Sequence, residues 1–273
     1  MSPRFRATLA YDGTAYQGFQ RQPDGIPTIQ GEVERAIAEV TQQVTTVIGA
    51  GRTDTGVHAT GQVIAFDVDW KHDDIDLLRA LNATLPADIA LQSITQHEGF
   101  HPRFDAVSRI YKYTVIVAQQ RQPLLRYRAW QVRNLPHSEA MQAAAELLTG
   151  EHDFASFGKP PQGENTVRTV FKSEWHLSLP TEDQPFETWT YTIEANAFLQ
   201  HMVRRIVGAL VDVGQGRCTI DEFRAAFERA RLMEKGVIAP PHGLVLVKVC
   251  YPEQGAQDRE HAGETPAGGS NYG

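Results

Sequence analysis

Phe5, Ala7, Leu9 and Tyr11 alternate with Arg6, Thr8 and Ala10, the two-residue period of a half-buried strand. After a loop through Pro27 the period lengthens. Thr28 can cap a helix on which Ile29, Val33, Ile37 and Val40 recur at helical spacing. Val44–Ile48 and Gln62–Val68, rich in β-branched residues, read as strands. Asp73–Leu85 reads as a helix ended by Pro86, and Ala87–Thr95 as a strand, so the first part runs β, α, β, β, α, β. A long strand, Arg109–Ala118, leads into the second part. There Ser138–Leu148 is helical up to Gly150, and Val167–Leu179 and Glu187–Ala197 are strands separated by turn signals between Pro180 and Pro185. Leu199–Val213 and Thr219–Met233 are expected helices, the second opened by a Thr219/Glu222 capping box, and Gly243–Tyr251 is the last strand. Strands and helices follow a similar order in each part, which predicts two α+β halves packed side by side, residues 1–106 and 107–252. Thr188–Ile193 alternates weakly and predicts a sheet face open to solvent or a partner.

Candidate chemistry concentrates in Gly51-Arg52-Thr53-Asp54-Thr55-Gly56-Val57-His58-Ala59, in the connection between two of these strands. Gly49, Gly51 and Gly56 allow positive φ or close approach of a ligand to the backbone, and functional groups gather on loops of this kind. Asp followed by Thr and Gly is also ordinary turn chemistry, with the carboxylate bonding nearby backbone. Spacing alone does not separate the two readings.

The motif resembles, almost letter for letter, the catalytic motif of the TruA-type tRNA pseudouridine synthases. Other segments are similar to the family in order and spacing: Tyr11–Thr14, Gly18–Gln22 and Thr28–Gln30 near the start, and Ser108–Tyr113 in the middle. Asp153–Phe157 with Arg168-Thr169, then Asn196–Gly208, and finally Gly243–Leu246 complete the series. The likeness extends from about residue 4 to residue 252. It implies an α+β pseudouridine synthase fold: two ferredoxin-like halves with mainly antiparallel sheets, flanking a central RNA-binding cleft. It implies an isomerase that converts uridines 38, 39 and 40 of the tRNA anticodon stem-loop to pseudouridine, as a homodimer in which one tRNA touches both subunits; a cytoplasmic location is expected separately, because Met1–Thr14 has no uninterrupted apolar h-region.

Making pseudouridine breaks the bond from ribose C1′ to base N1, turns the uracil and joins C1′ to C5. That requires no redox change and no cofactor. It requires a carboxylate that attacks carbon or removes a proton, cations around the leaving base, and a dry pocket for an extruded nucleotide. Asp54 is the carboxylate. Arg204 is the favoured partner, through a charge-assisted bidentate contact that holds Asp54 ionised and oriented. Arg52 can pair with Asp54 instead, but the resemblance implies that it enters the RNA stack in place of the flipped base. The family's active-site tyrosine falls on Tyr111, a catalytic candidate expected to stack on the uracil and able to relay a proton as well, though a poor base unless its ordinary pKa near ~10 is perturbed. Leu244 is expected as an apolar wall.

A net charge of −7 argues at first against a polyanionic substrate. Its distribution argues the other way. His101–Arg133 carries seven cations (Arg103, Arg109, Lys112, Arg121, Arg126, Arg128, Arg133) against Asp105 alone, interleaved with Phe104, Tyr111, Tyr113, Tyr127 and Trp130. Cations for phosphates and flat rings for unstacked bases are the means of RNA recognition, although strands also carry outward arginines merely for solubility. Arg109 and Arg126 are therefore expected on the RNA. From Glu253 onward four acids face one base, so the rest of the chain carries −4, and this tail, rich in Gly, Ala and Pro, is expected to be disordered.

Other constellations point elsewhere. His58 can act as a base but is better read as a structural hydrogen-bonding group within its turn. His97 and His101 stand four apart with Gly99 and Pro102 breaking any shared helix, so no zinc site is expected. Cys218 and Cys250 form no Cys-x-x-Cys pair, no phosphate loop or dinucleotide fingerprint is present, and no stretch approaches the ~20 apolar residues of a membrane helix. Two rivals remain open: a non-catalytic tRNA-binding protein or chaperone, and a synthase acting on another structured RNA.

Overall fold

A computed structural model describes residues 2–23, 25–160, 163–232 and 236–252. The tail expected to be disordered lies outside them. Alternation in the first segment folds as β1 (Arg4–Tyr11), whose Phe5, Ala7, Leu9 and Tyr11 are buried. Helix α1 (Ile29–Thr41) begins where Thr28 Oγ1 accepts the Gly31 N–H, leaving Ile29, Val33 and Ile37 on the core side. The short β2 (Ile48–Gly49), β3 (His58–Asp67), α2 (Asp74–Thr84) and β4 (Ile89–Gln96) complete the first part in the expected order. Val44–Ile48 forms a strand only at its last residue, with Val44 almost fully exposed. By contrast β3 starts four residues earlier than expected and takes in His58 and Ala59 of the glycine-bounded motif.

The second part comprises β5 (Ser108–Val117), β6 (Trp130–Val132), α3 (Ser138–Glu146), β7 (Gly150–Asp153), β8 (Val167–Ser178) and β9 (Glu187–Ala195). It ends with α4 (Met202–Gly214), α5 (Ile220–Glu228) and β10 (Leu244–Cys250). Strands β6 and β7, three and four residues long, carry no pattern long enough to predict them. The capping box on α5 is present, Thr219 and Glu222 each bonding the other's backbone N–H. That helix stops at Glu228, short of Met233, which lies outside the described residues.

All ten strands join one sheet of order β4-β1-β3-β10-β5-β9-β8-β7, with β2 added to β3 and β6 to β5. Pairing is antiparallel except for β10 with β3 and β6 with β5, a large and mostly antiparallel α+β sheet. Residues in register share a face. One such row runs Tyr11, Ala59, Leu246, Tyr111, Ile193, Ser173, all buried. This is the face that carries helices: Ser173 Oγ donates to the Ala145 carbonyl of α3 at 2.7 Å. On the opposite face Thr188, Thr190 and Thr192 of β9 are half-exposed, matching the open face that their weak alternation predicts. Helix α1 packs with α2, and α3 with α4 and α5.

Candidate active site

The Asp54 loop is fixed from several sides. Gln62 Nε2 donates to the Gly51 carbonyl at 2.9 Å, and Tyr11 Oη and Thr53 Oγ1 share a buried hydrogen bond of 2.9 Å. The backbone N–H of Phe19 donates to Thr53 O, and that of Val57 to Asp54 O, closing a turn that Gly56 completes at φ +75°. Gly13 lies so close that a Cβ there would stand 2.0 Å from the Val57 carbonyl oxygen. Rigid support of this kind lets a loop hold a side chain in one place.

Arg204, from the first turn of α4, reaches that side chain. Its Nη1 donates to Asp54 Oδ2 at 3.2 Å while its Nε donates to the Ala239 carbonyl at 2.9 Å. The pair is joined through one nitrogen rather than by the bidentate fork expected, because Ala239 takes the Nε edge. Arg52 is exposed, and among the described residues Arg204 rather than Arg52 makes the ion pair with Asp54. The arginine is largely buried and the carboxylate about 29% exposed, so the pair is open to an incoming ligand on the Asp54 side.

Tyr111 lies on the same sheet face, its ring edge-on to Phe198 at 5.0 Å. Burial pushes its hydroxyl well above the usual phenol range, with Tyr11 and Asp54 acting in the same direction and Arg109 against it. The hydroxyl therefore keeps its proton at neutral pH. Leu244 is buried at the start of β10 opposite Tyr113, so the residue in register with Tyr111 is Leu246.

Arg109 corrects an expectation. It is buried, with Nη1 donating to the Ala106 and Asn196 carbonyls and Nη2 to those of Ala50 and Arg103. A guanidinium used in this way knits three segments together and is not free for a phosphate. Arg126 is exposed, its guanidinium 4.5 Å from the Tyr127 ring centroid.

His58 also departs from its reading, because its bonds leave the turn. Nδ1 accepts the Gly13 N–H at 3.0 Å, and Nε2 lies 2.8 Å from Tyr127 O and 3.2 Å from His242 O. Two carbonyls at Nε2 call for a donor at that nitrogen. Asp12 Oδ1 is also 3.0 Å from Nδ1, but Thr14 N and Oγ1 already donate to it. Burial lowers the His242 pKa, as do His58 and Arg204, against a bond to Ala129 backbone. A cavity of about 410 Å³, lined in part by Tyr11, Asp12, His58, Asp88 and Arg128, opens beside this network and does not include Asp54.

The model of a family described as tRNA pseudouridine synthase matches residues 7–105 and 144–252. This chain belongs to the tRNA pseudouridine synthase family. Among relatives named tRNA pseudouridine synthase A, one from Neisseria meningitidis serogroup B is 40% identical over 253 residues, covering 92% of each chain. One from Chloroflexus aurantiacus is 42% identical, covering 89% of this chain and 87% of its own, and one from Pseudothermotoga lettingae is 40% identical, covering 91% and 99%. As a pseudouridine synthase the chain is an isomerase that modifies tRNA. Among the described residues of this synthase no helix is long and apolar enough to cross a membrane. His201 and Phe198, which contact Asp54 and Tyr111, lie inside the Asn196–Gly208 segment but stand out by no spacing rule of their own.

Proposed function

We propose that the chain isomerises uridines 38, 39 and 40 of the tRNA anticodon stem-loop to pseudouridine, with Asp54 as the reacting carboxylate. The observation that carries this reading is the Asp54–Arg204 pair, set on a fixed loop beside Tyr111. Arg204 pairs with the carboxylate and holds it turned toward the ligand. Tyr111 packs against the extruded uracil, Leu244 adds an apolar wall, and Arg52 fills the space that the base vacates. Arg126 takes a backbone phosphate. Residues 1–106 and 107–252 act as the two halves of the cleft, without a cofactor, in a cytoplasmic homodimer. Sedimentation at assay concentrations tests the dimer.

Joining C1′ to C5 expels the C5 proton, so tRNA tritiated at C5 must release label to water. Release by the wild type and none by Asp54→Asn, with tRNA binding retained, is the expected result. Release by neither leaves a tRNA-binding protein, and equal release by both removes Asp54 from the reaction. Mapping of pseudouridine in tRNA from a strain lacking the protein tests the positions: loss outside the anticodon arm contradicts them.

A further inference from the structure

Arg204 occupies only one oxygen of Asp54. The other, Oδ1, accepts no hydrogen bond among the described residues and faces His201 Nε2 at 3.6 Å. His201 stands at the head of α4 with φ 61° and ψ 7°, a left-handed conformation uncommon for a side-chain-bearing residue, and makes no side-chain capping bond there. Its carbonyl accepts the Arg205 N–H at 3.0 Å, which holds the bend in place as α4 begins. Strained backbone of this sort gathers at functional sites. Here it brings an imidazole, about 35% exposed, to the free oxygen of the carboxylate whose other oxygen Arg204 holds.

We infer that His201 is a positioning residue for the isomerisation: when tRNA closes the site, its Nε2–H bonds Asp54 Oδ1 and fixes the plane of the carboxylate. The inference rests on the reading of Asp54 as the reacting group. A carboxylate held at one oxygen can still swing about its Cβ–Cγ bond, whereas one held at both presents its remaining lone pair in one direction. A movement of roughly 0.7 Å brings 3.6 Å to an ordinary hydrogen-bond length. Misplacement on that scale is enough to slow a reaction about a hundredfold.

The test compares His201→Gly and His201→Gln in the full-length protein on C5-tritiated tRNA, with kcat, KM and thermal midpoint measured for each. Glycine suits the left-handed backbone and removes the imidazole. Glutamine restores an amide N–H at about the same reach. The expected result is a loss of about tenfold to a hundredfold in kcat for His201→Gly. Its KM for tRNA should be unchanged and its midpoint no lower, and His201→Gln should recover most of the lost rate. A wild-type kcat in His201→Gly overturns the inference, and so does a loss that glutamine does not recover. Asp54→Asn, run alongside, separates two kinds of failure. If it turns over at the wild-type rate, the reading of Asp54 falls and this inference falls with it. If it is inert while His201→Gly is unimpaired, only the role of His201 is lost.

Discussion

Arg128 Nη2 donates to Asp12 Oδ2 at 2.7 Å, tying the turn after β1 to the cationic segment before β6. This contact, followed by the Thr14 bonds, holds the Asp12 carboxyl well below the usual carboxylate range, against the opposing effect of burial. A carboxyl lowered on folding contributes stability above its unfolded pKa of about 3.9 and loses it as pH falls through the folded value. The contribution is therefore present at pH 7 and fades in acid. Because Arg128 is half-exposed, the pair is worth at most about 1 kcal/mol. Urea unfolding of Asp12→Asn should show that deficit at neutral pH and a shallower loss of stability than wild type on acidification below about pH 4.

Tyr111 keeps its proton through burial, so the role proposed for it rests on the ring rather than the hydroxyl. Tyr111→Phe should stay within about tenfold of wild-type kcat, whereas Tyr111→Ala, which removes the stacking surface, should lose far more. Single-turnover tritium release distinguishes them. A Tyr111→Phe variant as slow as the alanine variant would assign the hydroxyl a proton-transfer role.

Arg109 and Arg126 should separate cleanly. Removing the buried guanidinium leaves the Ala50, Ala106, Asn196 and Arg103 carbonyls without their donor, so Arg109→Ala should cost about 3 kcal/mol in denaturant unfolding.

Arg126→Glu should leave stability within about 0.5 kcal/mol of wild type, because its side chain is exposed. It should weaken tRNA binding and lower the slope of log affinity against log salt by about one or more. An unchanged slope would place Arg126 off the RNA backbone.

At Gly13 an added methyl would sit 2.0 Å from the Val57 carbonyl oxygen. Gly13→Ala must push the Asp54 loop away from the short turn that follows β1, and tritium release should fall by about tenfold or more while tRNA affinity changes little. A variant with wild-type kcat would show that the loop tolerates the shift.

Where period and cap agree, the sequence predicts the element: β1 by alternation, α1 by Thr28, α5 by Thr219 with Glu222. Boundaries fail where a non-local partner decides them. The strand β3 begins early because His58 and Ala59 pair with Val245 and Leu246, residues from the far end of the chain. Helix α4 begins late because His201 adopts a left-handed backbone that apolar spacing does not reveal. In the site, residue type and motif point to Asp54 and Arg204. The inward turn of Arg109 is invisible in sequence, where a cation among cations reads as surface charge. Its four carbonyl partners come from three separated stretches of chain.

Strand β10 lies between β3 and β5 although it is the last of the described elements. Among the described strands, the two flanks of the sheet pair with each other only through β10. Tyr111 meets its neighbour Leu246 only once β10 is in place. Such late, long-range pairing slows folding and leaves edges exposed in the meantime. A nascent chain stalled before Leu244 would thus hold both flanks of the sheet without the strand that pairs with each, so the contact between Tyr111 and Leu246 waits on β10.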